Sequence, residues 1–196
     1  SIGWWLSKRT GVPLVLDSYE PHAEAMVETG TWKRGGIAHR TLFFLEKKQT
    51  HHAQWLIGVV PAMRKYASEK YNYNGTNFLF KPACVDLTKF NLSKRKNPAL
   101  VESLGLKDKV TCVYLGKFGG LYLREQAFEF FKKGFEHWGD KFRVLLITST
   151  KREEIDALCK AAGINPEKVI SKFLPPAEVP DYIGLGDFAI SAFKPT

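Results

Sequence analysis

Two stretches hold residues whose types and spacing could do chemistry. The first is Gly116-Lys117-Phe118-Gly119-Gly120. Glycines let a backbone close on an anion, because no Cβ stands in the way. A helix beginning just beyond them would turn free N–H groups and its positive dipole end toward the same anion. Lys117 would add a full charge. That chemistry is phosphate binding. The spacing is neither the G-x-G-x-x-G fingerprint nor the Walker P-loop, so a plain tight turn in a βα unit stays open beside it. The second stretch is Asp17-Ser18-Tyr19-Glu20-Pro21-His22. Glu20 or His22 could serve as a general base, with Asp17 orienting it. The alternative there is that Asp17 and Ser18 simply cap a helix.

Both stretches need elements to position them. Val110 to Leu115 is a short apolar, β-branched run, as a buried strand would be. Arg124 to Trp138 carries Ala127, Phe128, Phe131 and Phe135 at helical spacing. The glycine turn therefore sits between a strand and a helix. The polar loop at 17–22 follows an expected strand, Val12 to Leu16, and leads into a helical or loop segment from Ala23 to Thr29. A loop directly after a strand is where open α/β sheets place their sites.

The rest of the chain repeats this alternation. Ser1 to Arg9 reads as the end of an amphipathic helix, stopped by Gly11 and Pro13. Gly36 to Gln49 is a helix with Ile37, Leu42, Phe44 and Leu45 on its apolar side. Arg40, Lys47 and Lys48 supply its basic side, flanked by Lys33, Arg34, His51 and His52. Such a helix could rest on an anionic membrane surface or simply cover a sheet. Trp55 to Val60 is a strand, and Pro61 starts a helix that runs over Ala62 to Tyr71. A turn cluster at 72–77 leads to a strand at 78–81, closed by Pro82. Residues 85–97 are polar and basic and form the crossing between two halves. A short helix over 98–106 follows. The second half then reads strand 110–115, helix 124–138, strand 142–148, helix 151–162, strand 169–173, helix 177–185 and strand 187–193. Gly139 and Gly163 stop the first two of those helices. Strand and helix alternating in this way argue for parallel sheets.

Composition narrows the partners. A chain of 196 residues with 44% apolar content can build one large domain or two small ones. The net charge of +9 favours an anionic partner, whether a nucleotide, a phospholipid surface or nucleic acid; because the charges are spread along the chain, a generally basic solvated surface stays open beside it. Cys84, Cys112 and Cys159 are far apart and form no C-x-x-C pair; Cys112, in an apolar strand, reads as a small buried hydrophobe. A reducing compartment fits them best. No apolar run approaches the roughly 18 to 20 residues that span a bilayer, and no signal peptide is evident. A start at Ser1 without methionine, and an end just after a strand, give the expectation of a chain cut at both ends.

Four stretches together resemble the retaining glycosyltransferases of family 4, also called group 1, which have the two-domain GT-B fold. Lys81-Pro82-Ala83-Cys84-Val85-Asp86-Leu87 with Phe90 is similar to the family's interdomain segment, V-P-N-G-V-D-x-x-x-F. Val113-Tyr114-Leu115-Gly116-Lys117 resembles the first strand of its nucleotide-sugar domain, which ends Gly-Arg or Gly-Lys. Val169 through Leu174, then Glu178-Val179-Pro180-Asp181-Tyr182, resembles a strand, small loop and helix with L/V-x-x-Y. Gly186-Asp187-Phe188-Ala189-Ile190-Ser191 is similar to the family's A-D-I-x-I-x-P strand.

The resemblance implies an α/β chain made of two Rossmann-like halves, both incomplete. Residues 1–90 would be the end of an acceptor-side domain, 91–106 the interdomain segment and first helix, and 107–196 the start of the nucleotide-sugar domain. It implies transfer of a sugar from a UDP- or GDP-sugar, with retention, to a saccharide or lipid-linked saccharide. The diphosphate would be held between the domains by backbone N–H groups and basic side chains, with no metal and no further cofactor. Gly116, Lys117, Gly119 and Gly120 fit that role, and Arg124 is the nearest candidate for the second basic residue. The family's histidine near the reacting sugar falls closest to Tyr19, with His22 as the stand-in and Glu20 and Asp17 beside it. The E-x7-E motif that contacts the donor would lie past Thr196, so this chain alone is expected to turn over little. The implied place is the cytoplasm, with peripheral contact at the inner membrane face. Alternatives are a sugar-nucleotide epimerase of the same fold, or a basic membrane- or nucleic-acid-binding module. The last is disfavoured, because Trp4, Trp5, Tyr71 and Tyr73 are not interleaved with basic residues on one strand face.

Overall fold

The computed structural model describes residues 2–18 and 20–193. The chain divides into two compact units, Ser1–Cys84 and Val85–Thr196. The first contains α1 (Ile2–Thr10), β1 (Val15–Ser18), α2 (His22–Glu28), α3 (Ile37–His52), β2 (Trp55–Gly58), α4 (Ala62–Tyr71) and β3 (Phe78–Phe80). Its three strands lie in the order β1-β2-β3, all parallel, with Leu16 opposite Leu56 and Leu56 opposite Phe78. Leu56, Ala67, Tyr71 and Tyr73 form its buried centre, and Leu16, Phe43 and Phe78 pack against them.

Several expectations shift in this unit. The first strand begins at Val15 rather than Val12, because Pro13 has no N–H for a ladder and pairing opens only where Gln54 N–H donates to Leu14 O at 2.8 Å. It then runs through Asp17 and Ser18, which are strand residues and not loop. Neither caps a helix: the residue before α2 is Pro21, and no side chain caps it. The second strand stops at Gly58, since the Val60 carbonyl already accepts the Met63 N–H in the turn into α4. On α3, Ile37 and Phe44 point outward, and Phe43 takes the core position.

The second unit contains α5 (Pro98–Ser103), β4 (Val110–Leu115), α6 (Arg124–Trp138), β5 (Phe142–Ile147), α7 (Arg152–Ala162), β6 (Val169–Lys172), α8 (Val179–Ile183) and β7 (Phe188–Ala189). The sheet is parallel in the order β6-β5-β4-β7. Successive strand residues point to opposite faces, and both faces are covered. Cys112, Tyr114, Val144 and Leu146 meet Phe128, Phe131 and Ile155 on one side. Val113, Leu145 and Ile147 meet Leu106 and Leu185 on the other. Near-continuous apolar strands such as Phe142–Ile147 follow from that double burial.

The final strand is much shorter than the 187–193 expected. It pairs only at Cys112–Phe188 and Val113–Ala189. Beyond Ile190 the chain leaves β4 and pairs with the segment before α6: Leu123 N–H donates to Ala192 O at 3.1 Å, and Phe193 bridges to Tyr122. The helix expected over 177–185 is confined to Val179–Ile183, because the preceding residues form a turn closed by Glu178 N–H to Pro175 O.

Candidate functional site

The glycine turn leaves the end of β4, the strand whose two neighbours, β5 and β7, lie later in the chain on opposite sides. That is the point where strand order reverses, and open α/β sheets bind ligands outside the strand ends there. Gly116, Gly119 and Gly120 have φ of 146°, 92° and 66°. A Cβ at Gly119 or Gly120 would meet nothing within 4 Å, so backbone conformation, not crowding, calls for glycine. The turn is braced from behind. Gly116 N–H donates to Ile147 O at 3.0 Å, Tyr114 O–H donates to Lys117 O at 2.9 Å, and Phe118 stacks on Tyr114 at 4.6 Å.

In front, the turn has donors to spare. Among the described residues, no hydrogen bond is taken by the backbone N–H of Lys117, Phe118, Gly120 or Leu121. The N-terminus of α6 follows, with no side-chain cap. Lys117 is exposed, and no carboxylate among the described residues pairs with it. Arg124 is engaged differently. Its guanidinium donates to Glu125 at 2.7 Å and lies 4.0 Å from Glu154, and those carboxylates hold its pKa above the ordinary value. Lys117, not Arg124, is the charge available to an anion at this turn.

The second stretch forms a cleft of about 360 Å³ in the first unit, at the end of β1. Asp17, Glu20 and His22 all line it. His22 Nδ1 lies 3.6 Å from Glu20 Oε1, so these two form the pair. Asp17 is held by Lys81 Nζ at 3.4 Å instead. Tyr19, the position nearest the histidine of the resembled family, lies outside the described residues.

The cleft also contains a carboxylate that the sequence did not single out. Glu46, on α3, accepts the Ala23 N–H at 3.1 Å through Oε1 and the Tyr71 hydroxyl at 3.0 Å through Oε2. It satisfies an open N–H at the start of α2 that no capping side chain reaches. Burial raises its pKa, against the opposing pull of the Ala23, Tyr71 and His22 hydrogen bonds. Tyr71 is pushed up in turn by burial and by the Glu46 charge. Glu46 lies 24 positions from His22, so no local motif marks it. Thr50, one turn further along α3, lines the same cleft.

Among the described residues, no three His, Cys, Asp or Glu side chains come together as a metal site requires. No helix among them is long and apolar enough to cross a membrane.

No protein-family model matches the chain, and no curated protein matches it. Solved structures do. HepE of Anabaena, in complex with UDP and glucose, superposes with a TM-score of 0.67 at 11% identity, over 96% of this chain and 48% of that one. A glycosyltransferase from Rickettsia africae gives 0.61 at 12% identity, over 97% and 48%. An alpha,alpha-trehalose-phosphate synthase (UDP-forming) from Burkholderia vietnamiensis gives 0.59 at 11%, over 95% and 48%. The chain has the GT-B-type fold of these structures, and it spans about half the length of the solved chains it matches. Identity this low establishes the fold and leaves the reaction to the chemistry of the site.

Proposed function

We propose that this chain is part of a glycosyltransferase that takes a sugar from a nucleoside-diphosphate donor, as a retaining enzyme of group 1. One observation carries the reading. At the point where strand order reverses, a turn with three positive-φ glycines presents open backbone N–H groups beside Lys117, which no carboxylate among the described residues pairs. That arrangement suits a leaving diphosphate, whose charge is neutralised by fixed donors and one cation. In the transfer the bond from the anomeric carbon to the diphosphate oxygen breaks. A bond from the acceptor oxygen to the anomeric carbon forms, and the acceptor hydroxyl's proton passes to the departing diphosphate oxygen. HepE, which has the same fold, was solved with UDP-glucose, which supports a UDP-sugar as donor here. Gly116, Lys117, Gly119 and Gly120 are the donor residues of this proposal. Arg124 is the weaker member, because carboxylates already hold it. Glu20 and His22 are the acid–base pair on the acceptor side, with residues 1–90 as the acceptor half and 107–196 as the donor half.

A cytoplasmic enzyme working at the inner membrane face accords with α3, whose outward side carries Arg40, Phe44 and Lys48, with Lys48 Nζ 5.5 Å from the Phe44 ring centre.

Thermal unfolding with UDP and GDP tests the donor site. A diphosphate at 100 times its Kd adds about 2.7 kcal/mol of stability. The expected outcome is a higher Tm with one of the two nucleotides, lost in Lys117→Ala. A shift that survives this substitution would move the site elsewhere, and no shift with either nucleotide would sink the donor assignment.

A further inference from the structure

The cleft at the end of β1 has a chemistry opposite to that of the chain around it. The chain carries 29 lysines and arginines, yet none of those among the described residues lines this cleft. Lys81 reaches Asp17 from outside the lining. The lining is made instead by Asp17, Glu20 and Glu46, with His22, Gln49 and Thr50. Thr50 is only 5% exposed, and no hydrogen bond among the described residues holds its hydroxyl. A hydroxyl with no protein partner can both donate to and accept from a polar ligand in the cleft. At about 360 Å³ the cleft is of the size that takes a small molecule.

Which molecule follows from the donor and acceptor balance. Ionised carboxylates only accept hydrogen bonds, so they call for a ligand rich in O–H or N–H donors. A phosphate has the wrong sign. It would face Glu20 and Glu46 with no lysine or arginine among the described lining residues to offset them, and like charges this close repel. The half-buried Glu46 cannot turn away, because it is tied to Ala23 and Tyr71. The anion-binding groups of this chain are at the glycine turn, in the other unit.

We infer that the cleft formed by Glu20, His22, Glu46 and Thr50 binds an uncharged or amine-bearing sugar ring and rejects a phosphorylated one. This rests on the transferase reading, since such a ring would be the acceptor, and it names the acceptor class that reading leaves open.

The test is binding of D-glucose, D-glucosamine and D-glucose 6-phosphate to the chain, followed by saturation-transfer NMR and titration. Glucose or glucosamine should bind at least tenfold more tightly than the 6-phosphate. Thr50→Val should weaken that binding at least fivefold while leaving Tm within a few degrees. Glu20→Lys places a cation on the exposed rim, where folding is insensitive to it, and should raise affinity for the 6-phosphate at least fivefold. The inference is overturned if the 6-phosphate binds as well as glucose to the unaltered chain, if none of the three sugars binds, or if Thr50→Val and Glu20→Lys leave all affinities unchanged. These readouts use no nucleotide. A UDP or GDP shift without sugar binding would overturn this inference alone, and sugar binding without a nucleotide shift would overturn the donor assignment alone.

Discussion

Glu46 is the residue whose protonation is tied most closely to the fold around a candidate site. Its carboxyl is held above the usual Glu value of 4.5, with burial as the leading cause. A carboxyl with a higher pKa folded than unfolded binds its proton more tightly in the native state. Its contribution is therefore complete below the unfolded value and is lost as pH rises through the folded one. Glu46→Gln keeps an oxygen for the Ala23 N–H but has no charge to bury at any pH. The Tm of Glu46→Gln relative to the parent chain is thus expected to climb as pH goes from about 4 to 7. A difference that stays flat across that range would mean the carboxyl is not desolvated as its surroundings indicate. The cysteines offer a plainer case at the same scale. Cys112 is fully buried and its thiol is pushed up to about 12 by burial alone, as a small core hydrophobe would be.

At the scale of elements, α6 shows how far the chain order and spacing carried. Its bounds, Arg124–Trp138, match the run of Ala127, Phe128, Phe131 and Phe135, and all but Phe135 are fully buried against the sheet. Gly134 lies on the same buried face of the helix. A Cβ there would stand 2.3 Å from the Phe142 ring of β5, and Phe142 is itself fully buried. The ring cannot swing clear, so Gly134→Ala is expected to cost about 1–3 kcal/mol, the usual penalty for overfilling a packed core. Urea unfolding midpoints would show it; no loss would mean the α6–β5 contact is looser than this geometry. Elements that ended by losing a partner were harder to read. Residues 187–193 have a strand's composition throughout, but hydrogen bonding to β4 ends at Ile190. The turn to Tyr122 is a tertiary event with no local sign. The glycine turn was visible as glycines, while its open N–H groups depend on how the chain runs after the strand. Glu46 was missed for the same reason: α3 presents it as one more polar residue, and only the placement of α2 makes it a site residue.

At the scale of the whole molecule, the two units differ in how much they bury. In Val85–Thr196 the central strands are covered on both faces, and Val113, Tyr114, Val144, Leu145 and Leu146 are at most 2% exposed. Each large apolar side chain so buried contributes about 1.5–3 kcal/mol. In Ser1–Cys84 the three strands are short, Leu56 is their one nearly fully buried apolar residue, and Val15, Trp55, Leu79 and Phe80 stay more than a third exposed. Opening free energies follow buried contacts, so stability should not be uniform along the chain. Native-state hydrogen exchange is expected to find the amides of β4 and β5 the slowest, and those of β1, β2 and β3 exchanging at least tenfold faster. The same ranking should hold under mild urea, with the first unit opening before the second. Equal protection in both sheets would show that the first unit draws stability from contacts other than its own core, and the burial argument would fail. The ranking also bears on function. The proposed acceptor cleft lies in the less protected unit, and the proposed diphosphate turn is anchored to the most protected strand, where a preorganised donor array needs a rigid base.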